Sequence, residues 1–114
     1  MSLGTGALYK DGGGTLVLSS SNSYSGITSA FGGVLRLTHG GGLGSSVVTV
    51  SSCGLELAGG ISVANSVTLY GSGISNGGAL RSVSGNNSWT GPLVIGSSAT
   101  RIHSDGDVLD LNVS

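Results

Sequence analysis

Short alternating hydrophobic stretches recur along the whole chain. Each is a triplet in which two apolar residues flank a central one, and the seven triplets begin at Leu16, Leu35, Val48, Leu55, Val67, Leu93 and Leu109. Side chains in a β-strand alternate between two faces, so the flanking residues of a triplet point one way and the central residue the other. No window of eleven residues has helical periodicity free of glycine. The pattern predicts very short strands, each with an apolar inner face.

The spacing of these stretches indicates how the strands are arranged. Equivalent positions recur every 19 to 26 residues in two series, Leu16, Leu35, Leu55, Leu80 and Ile102 in one and Ile27, Val48, Val67 or Leu69, and Leu93 in the other. This is the coil length of a solenoid whose turns each add one short strand to two or three parallel sheets. A β-sandwich would need longer strands and hairpin turns such as Asn-Gly, which occurs once, at residues 76–77. The sequence therefore predicts an all-β, single-stranded parallel β-solenoid of about five coils.

Composition agrees with a β-rich chain that turns often. The chain has 114 residues, of which 23 are glycine and one is proline, and only 8% are charged. The four basic residues are scattered, so no footprint for a phosphate backbone is visible and we expect no nucleic-acid partner. No stretch approaches the roughly 20 apolar residues of a membrane span, so we expect no membrane insertion by this segment.

Two of the five aromatic residues stand in matching polar segments, NSYSG around Tyr24 and NSWTG around Trp89. The asparagine suits a corner where a side-chain amide bonds to nearby backbone, and the glycine would then supply an unusual φ. We interpret both segments as structural corners in which the ring covers apolar surface of the next coil. A platform on which sugars stack against Tyr24 and Trp89 is the alternative. The residues of the two predicted corners are Asn22, Tyr24, Gly26, Asn87, Trp89 and Gly91.

Candidate chemistry is sparse. Asp105, Asp107 and Asp110 place carboxylates in a glycine-containing turn, which is a weak pattern for calcium because it does not recur on other coils. Arg36 and Glu56 are one coil apart, which predicts a cross-strand ion pair worth less than about 1 kcal/mol.

Neither pattern makes a catalytic device. A polysaccharide-active enzyme would need several carboxylates that converge on one exposed sheet, and only one is expected there. Cys53, the single cysteine, is interpreted as a buried strand residue. We expect no catalytic residues and no cofactor.

Residues 8–37 carry a recognisable motif. They resemble the autotransporter-associated β-strand repeat, also called the passenger-associated transport repeat, whose pattern runs K-x-G-x-G-T-L-x-L-S-x-x-N-x-Y-x-G-x-T and then G-x-L-x-L. Residues 29–31, SAF, depart from the usual valine and small polar residues of that pattern. The matching positions are Lys10, Gly12, Gly14, Thr15, Leu16, Leu18, Ser19, Asn22, Tyr24, Gly26, Thr28, Gly33, Leu35 and Leu37.

The rest of the chain is read as one continuous domain with this repeat. Residues 73–111 are similar to the G-A-L-R and G-N-N-x-W-x-G-P segments found between such repeats, so we interpret them as a variant second unit. Residues 40–72 keep the coil spacing but match no motif. We expect residues 1–114 to form a single β-helix segment, a fragment of a longer solenoid.

The resemblance implies a right-handed parallel β-helix in the secreted passenger of a bacterial autotransporter or adhesin. Such a segment would lie outside the cell, at the bacterial surface, after export through the outer membrane. Its expected role is a rigid structural stalk whose sequential folding aids secretion. The expected partners are neighbouring repeats of the same polypeptide or an end-to-end copy, with host or surface glycans as a further candidate. A carbohydrate-binding module and a polysaccharide-active enzyme are the second and third hypotheses.

Overall fold

The chain folds into a parallel β-solenoid of about five turns. The structure, a computed structural model, describes residues 6–74, 77–105 and 108–111. Within these residues the chain forms short strands, namely β1 (Leu8–Lys10), β2 (Thr15–Leu18), β3 (Thr28–Ala30), β4 (Val34–Leu37), β5 (Val48–Ser51), β6 (Gly54–Ala58), β7 (Ser62–Val63), β8 (Val67–Tyr70), β9 (Leu80–Ser84), β10 (Asn86–Trp89), β11 (Leu93–Ile95), β12 (Ile102–Ser104) and β13 (Val108–Leu111). This confirms the predicted fold class.

The strands stack into three parallel sheets along the solenoid axis. Sheet A contains β1, β3, β5, β8 and β11 in that order, and sheet B contains β2, β4, β6, β9 and β12. Sheet C is shorter and contains β7, β10 and β13. Each turn passes through sheet A and then sheet B before it crosses the third side. In the first two turns that side is irregular chain, at residues 19–27 and 38–47.

The first predicted series forms an inward column on sheet B. Its members pair directly from coil to coil, and the three central leucines are fully buried. Stacked identical side chains remove apolar surface from water at every step, which is the main source of solenoid stability. The column contains Leu16, Leu35, Leu55, Leu80 and Ile102.

The second predicted series lies inward at three of its positions, but the prediction was wrong for its first member, Ile27. Val48, Val67 and Leu93 pair in register on sheet A, but the strand above presents Thr28 to Val48. Ile27 is instead 51% exposed. Hydropathy favours isoleucine as the core residue, but the register places Thr28 inside, where hydrogen bonds satisfy its hydroxyl.

No helix among the described residues has the length and apolar character needed to cross a membrane.

Candidate functional site

The first predicted corner is built around a buried tyrosine. Tyr24 lies between β2 and β3 and is fully buried. Its hydroxyl shares a hydrogen bond of 2.8 Å with Thr28 Oγ1, and that oxygen shares another of 2.7 Å with Ser46 Oγ on the next coil. Burial raises the pKa of Tyr24, and the hydrogen bonds to Thr28 and Ser46 offset part of the increase. The phenol is therefore held neutral inside a chain of three hydroxyls.

The second corner holds a buried tryptophan at the equivalent place. Trp89 ends β10 and lies four residues before Leu93, as Tyr24 lies four residues before Thr28, and both end points belong to one column of sheet A. The indole is fully buried and packs in the hydrophobic core. Its Nε1 donates a 2.9 Å hydrogen bond to the backbone carbonyl of Asn65, 24 residues earlier.

Neither ring faces solvent, because Tyr24 and Trp89 both have a relative exposure of 0%. A sugar platform made of these two residues is therefore incompatible with the fold. The corners are packed structure, with the polar atom of each ring bonded internally as buried polar groups require.

The two asparagines of the corners bridge neighbouring coils. Asn87 Oδ1 accepts hydrogen bonds from the backbone amides of Gly60 (3.0 Å) and Ile61 (2.9 Å). Its Nδ2 donates to Ser82 Oγ (2.7 Å), Ser84 O (3.0 Å) and Leu57 O (3.3 Å). Among these partners only Ser82 and Ser84 are close in sequence. The expected local turn therefore accounts for these two hydrogen bonds, and the other three connect neighbouring coils.

Asn22 follows the same principle from a less buried position. Its Nδ2 donates a 2.6 Å hydrogen bond to the carbonyl of Gly42, 20 residues later. That separation is one coil, so this amide also fastens one turn to the next.

The glycines of the corners act differently from the prediction. Neither Gly26 nor Gly91 is among the glycines with positive φ. The prediction that these two glycines adopt an unusual backbone conformation was therefore wrong. Gly91 is required for close packing instead. A Cβ atom there would lie 2.2 Å from Asn65 O and 2.4 Å from Ala64 O on the preceding coil, so a side chain has no room.

Lys10 is a structural residue whose role the sequence reading missed. It pairs with Ala30, occupies an inward position of sheet A and is 7% exposed. Its Nζ donates to the carbonyls of Asp11 (2.7 Å), Gly32 (2.9 Å) and Gly12 (3.1 Å). Backbone carbonyls thus compensate the buried ammonium. The alternation Leu8-Tyr9-Lys10 was the signal, because it places the lysine on the same face as the leucine.

The most highly charged surface lies on the outward side of sheet B. Arg36 donates to Glu56 Oε1 from Nε (2.9 Å) and Nη2 (2.7 Å), which confirms the predicted ion pair. Arg81 Nη1 lies 3.7 Å from Glu56 Oε2 and also pairs with Asp105. We call this the charged ladder, and it consists of Arg36, Glu56, Arg81, His103 and Asp105.

The carboxylates of the ladder are engaged by its other side chains. Glu56 is held between two arginines, and Asp105 binds Arg81 and, at 2.6 Å, His103 Nε2. Hydrogen bonds from Arg81 and then His103 hold the pKa of Asp105 below its usual range. Since Arg81 favours the ionised form of Asp105, this carboxyl is poorly suited to serve as a general acid.

Of the three calcium candidates, the structure describes two, and these belong to different sheets or their edges. Asp105 belongs to the charged ladder, Asp110 lies on β13 of sheet C, and Asp107 is outside the described residues. In the part of the chain that the structure describes, no group of three His, Cys, Asp or Glu residues could hold a metal. Cys53 is fully buried, and burial raises the pKa of its thiol, as expected for an unreactive packing residue.

Comparison with known proteins shows which family the first coils resemble. Residues 8–37 match the family model of the passenger-associated-transport-repeat. These residues are a passenger-associated transport repeat. The repeat runs from β1 to β4, so it includes Lys10 and the whole Tyr24 corner.

A longer similarity extends beyond the repeat. The chain is 39% identical over 92 residues to the adhesin BmaC autotransporter of Brucella suis biovar 1 (strain 1330). The match covers 75% of this chain but 3% of that adhesin, so the chain spans a small part of the relative's length. No solved structure matches the chain significantly. The repeat match and the solenoid fold together support a structural segment of an autotransporter passenger.

Proposed function

We propose that this segment is a rigid extracellular stalk whose coil-by-coil folding aids export of the passenger through the outer membrane. The inward column of sheet B is the observation that carries the proposal, since it pairs Leu16 to Ile102 through all five coils without a gap. A continuous column and continuous backbone hydrogen bonding along one axis resist bending and extension.

Each coil uses the preceding coil as its template. The hydrogen bonds of Asn22, Asn65 and Trp89 each span between 19 and 24 residues, which is about one turn. Contacts of this kind allow folding to proceed in sequence as the chain emerges, without distant partners. Folding outside the cell would then oppose backward movement of the chain. Neighbouring coils of the same polypeptide are the partners that we propose for the two ends of the solenoid.

A secretion assay on the full-length passenger tests this proposal. Leu55→Asp places a carboxylate in the buried column, so we expect much less passenger at the cell surface. Val17→Asp is the matched control, because Val17 lies outward on the same sheet and is exposed. Surface protease accessibility and total expression are measured for both variants. Equal surface amounts of Leu55→Asp and wild type, with the segment of the variant shown to be unfolded, would refute the role in export.

A further inference from the structure

The outward face of sheet A is chemically unlike the rest of the surface. Among the described residues, every exposed aromatic side chain lies on it, namely Tyr9 (65% exposed), Phe31 (49%) and Tyr70 (40%). Tyr9 is in β1, Phe31 directly follows β3, and Tyr70 ends β8. The strands alternate inward and outward residues, so these rings project from one side of the solenoid.

Small hydroxyl groups fill the positions between the rings. Ser29, Thr49 and Thr68 pair in register between Tyr9 and Val94, and Ser51 pairs with Tyr70. Ser29 is buried, so the hydroxyls within reach of a ligand are those of the half-buried Thr49, Thr68 and Ser51. Lys10 is the only charged residue in the five strands of sheet A, and it points inward. Within its five strands the face therefore offers aromatic surface and hydroxyl groups without outward charge, and the exposed Asp11, directly after β1, lies at its margin. Sheet B, by contrast, presents the charged ladder.

Tyr70 is held in one orientation by the next coil. Gly96 has no side chain, and a Cβ atom there would lie 2.4 Å from Tyr70 Cε1 and 2.7 Å from Cδ1 and Cζ. The ring thus rests against the glycine backbone with part of its surface exposed. A ring positioned in advance loses little conformational freedom when a ligand stacks on it.

The dimensions of the face indicate the kind of ligand. Five strands about 4.8 Å apart and four residues wide give a strip of roughly 20 by 13 Å. This is roughly 250 Å², about a third of the 800 Å² or so that each partner contributes to a stable protein interface. The backbone groups of the central strands are paired from coil to coil, so a peptide strand cannot be added at this face.

We propose that the outward face of sheet A binds a neutral, linear glycan that lies along the solenoid axis across Tyr9, Phe31 and Tyr70. The apolar faces of the sugar rings pack on the aromatic rings, and sugar hydroxyls exchange hydrogen bonds with the intervening serine and threonine residues. The absence of outward charge within the five strands matches an uncharged polymer. This activity is independent of the role as a stalk.

Affinity electrophoresis and calorimetry with defined sugars test the proposal. The neutral probes are cellohexaose, chitohexaose, maltohexaose and laminarihexaose, and heparin is the charged probe. We expect at least one neutral probe to bind and heparin not to bind. Phe31→Ala and Tyr70→Ala should each weaken that binding about three- to tenfold. Gly96→Ala should also weaken it, because the new methyl group displaces the Tyr70 ring.

Val108→Ser is the matched control, since Val108 is 53% exposed but lies on sheet C. All variants are first shown to melt near the wild-type temperature, and Phe31→Leu and Tyr70→Leu replace any alanine variant that does not. Binding of no neutral probe, binding unchanged by the substitutions on sheet A, or equal binding of heparin would overturn the proposal. So would a dimer that the same substitutions abolish, because the face would then belong to a second copy. None of these results depends on whether the passenger is exported.

Discussion

The two aromatic corners occupy equivalent places in the coil but are fastened by different bonds. Tyr24 shares a chain of hydroxyl hydrogen bonds with Thr28 and Ser46. Trp89 donates to a backbone carbonyl of the previous coil and lies two residues after the buried Asn87. The geometry of the corner thus requires a large ring with a satisfied polar atom. It does not require one particular partner for that atom.

The difference has consequences for stability. The Trp89 corner combines a larger apolar ring with the amide network of Asn87, so more of the fold depends on it. The Tyr24 corner contains a group that can ionise, whereas the Trp89 corner has no titratable ring. Four predictions separate the two corners.

Trp89→Ala should have the largest effect. Removing a fully buried indole leaves a cavity and an unpaired Asn65 carbonyl, which costs about 3–5 kcal/mol of unfolding free energy. Urea unfolding measures the loss, and Trp89→Phe serves as the control that keeps most of the volume. A loss under about 1 kcal/mol would mean that this corner contributes little to the fold.

Asn87→Ala should cost about 2–3 kcal/mol, because it leaves the buried amide of Ile61 and the amide of Gly60 without their acceptor. Asn22→Ala, at the matching position of the Tyr24 corner, should cost about 1 kcal/mol because that side chain is only partly buried. The unfolding free energies of both variants are obtained from the midpoints and slopes of their urea unfolding curves. If the two losses are equal, the corners do not differ in the way proposed.

Tyr24→Phe removes one hydroxyl and keeps the ring. The remaining bond between Thr28 and Ser46 limits the expected loss to about 1 kcal/mol. Thermal melting followed by circular dichroism gives the value. A loss as large as that of Trp89→Ala would show that the hydroxyl chain, not the ring, holds this corner.

Alkaline pH should weaken the Tyr24 corner alone. Its pKa is raised in the folded state, so its contribution is complete below pH 10.0, the ordinary tyrosine value, and is lost as pH rises through the higher folded value. The urea midpoints of wild type and Tyr24→Phe are compared in buffers between about pH 8 and about pH 11, a range that includes the ordinary tyrosine pKa. Wild type should lose stability more steeply than Tyr24→Phe; parallel curves would contradict the assignment.

Much of the fold was readable from the sequence because one signal repeats in it. A column of identical residues such as Leu35 and Leu55 can be predicted from their spacing alone, without knowing the conformation of the turns between them. Ile27 was misplaced because hydropathy does not report register, and Thr28 takes the inward place through hydrogen bonds that only the folded coil provides. The corners were located by their matching segments. Most of their hydrogen bonds were not predicted, since the acceptor of Trp89 and the Gly60 and Ile61 amides bound by Asn87 lie about one coil away and depend on how the coils align.

The buried lysine has a consequence for how the coils find their correct neighbours. A solenoid made of similar leucine-rich turns could pair out of step by one whole turn, because the apolar positions are nearly alike. Lys10 reduces that equivalence, because one of its three acceptors, the Gly32 carbonyl, belongs to the neighbouring coil, whereas those of Asp11 and Gly12 are local. Shifting the stack by one turn would take the Gly32 carbonyl away from the ammonium and leave its burial less well compensated. Lys10 thus favours the register in which β1 lies beside β3.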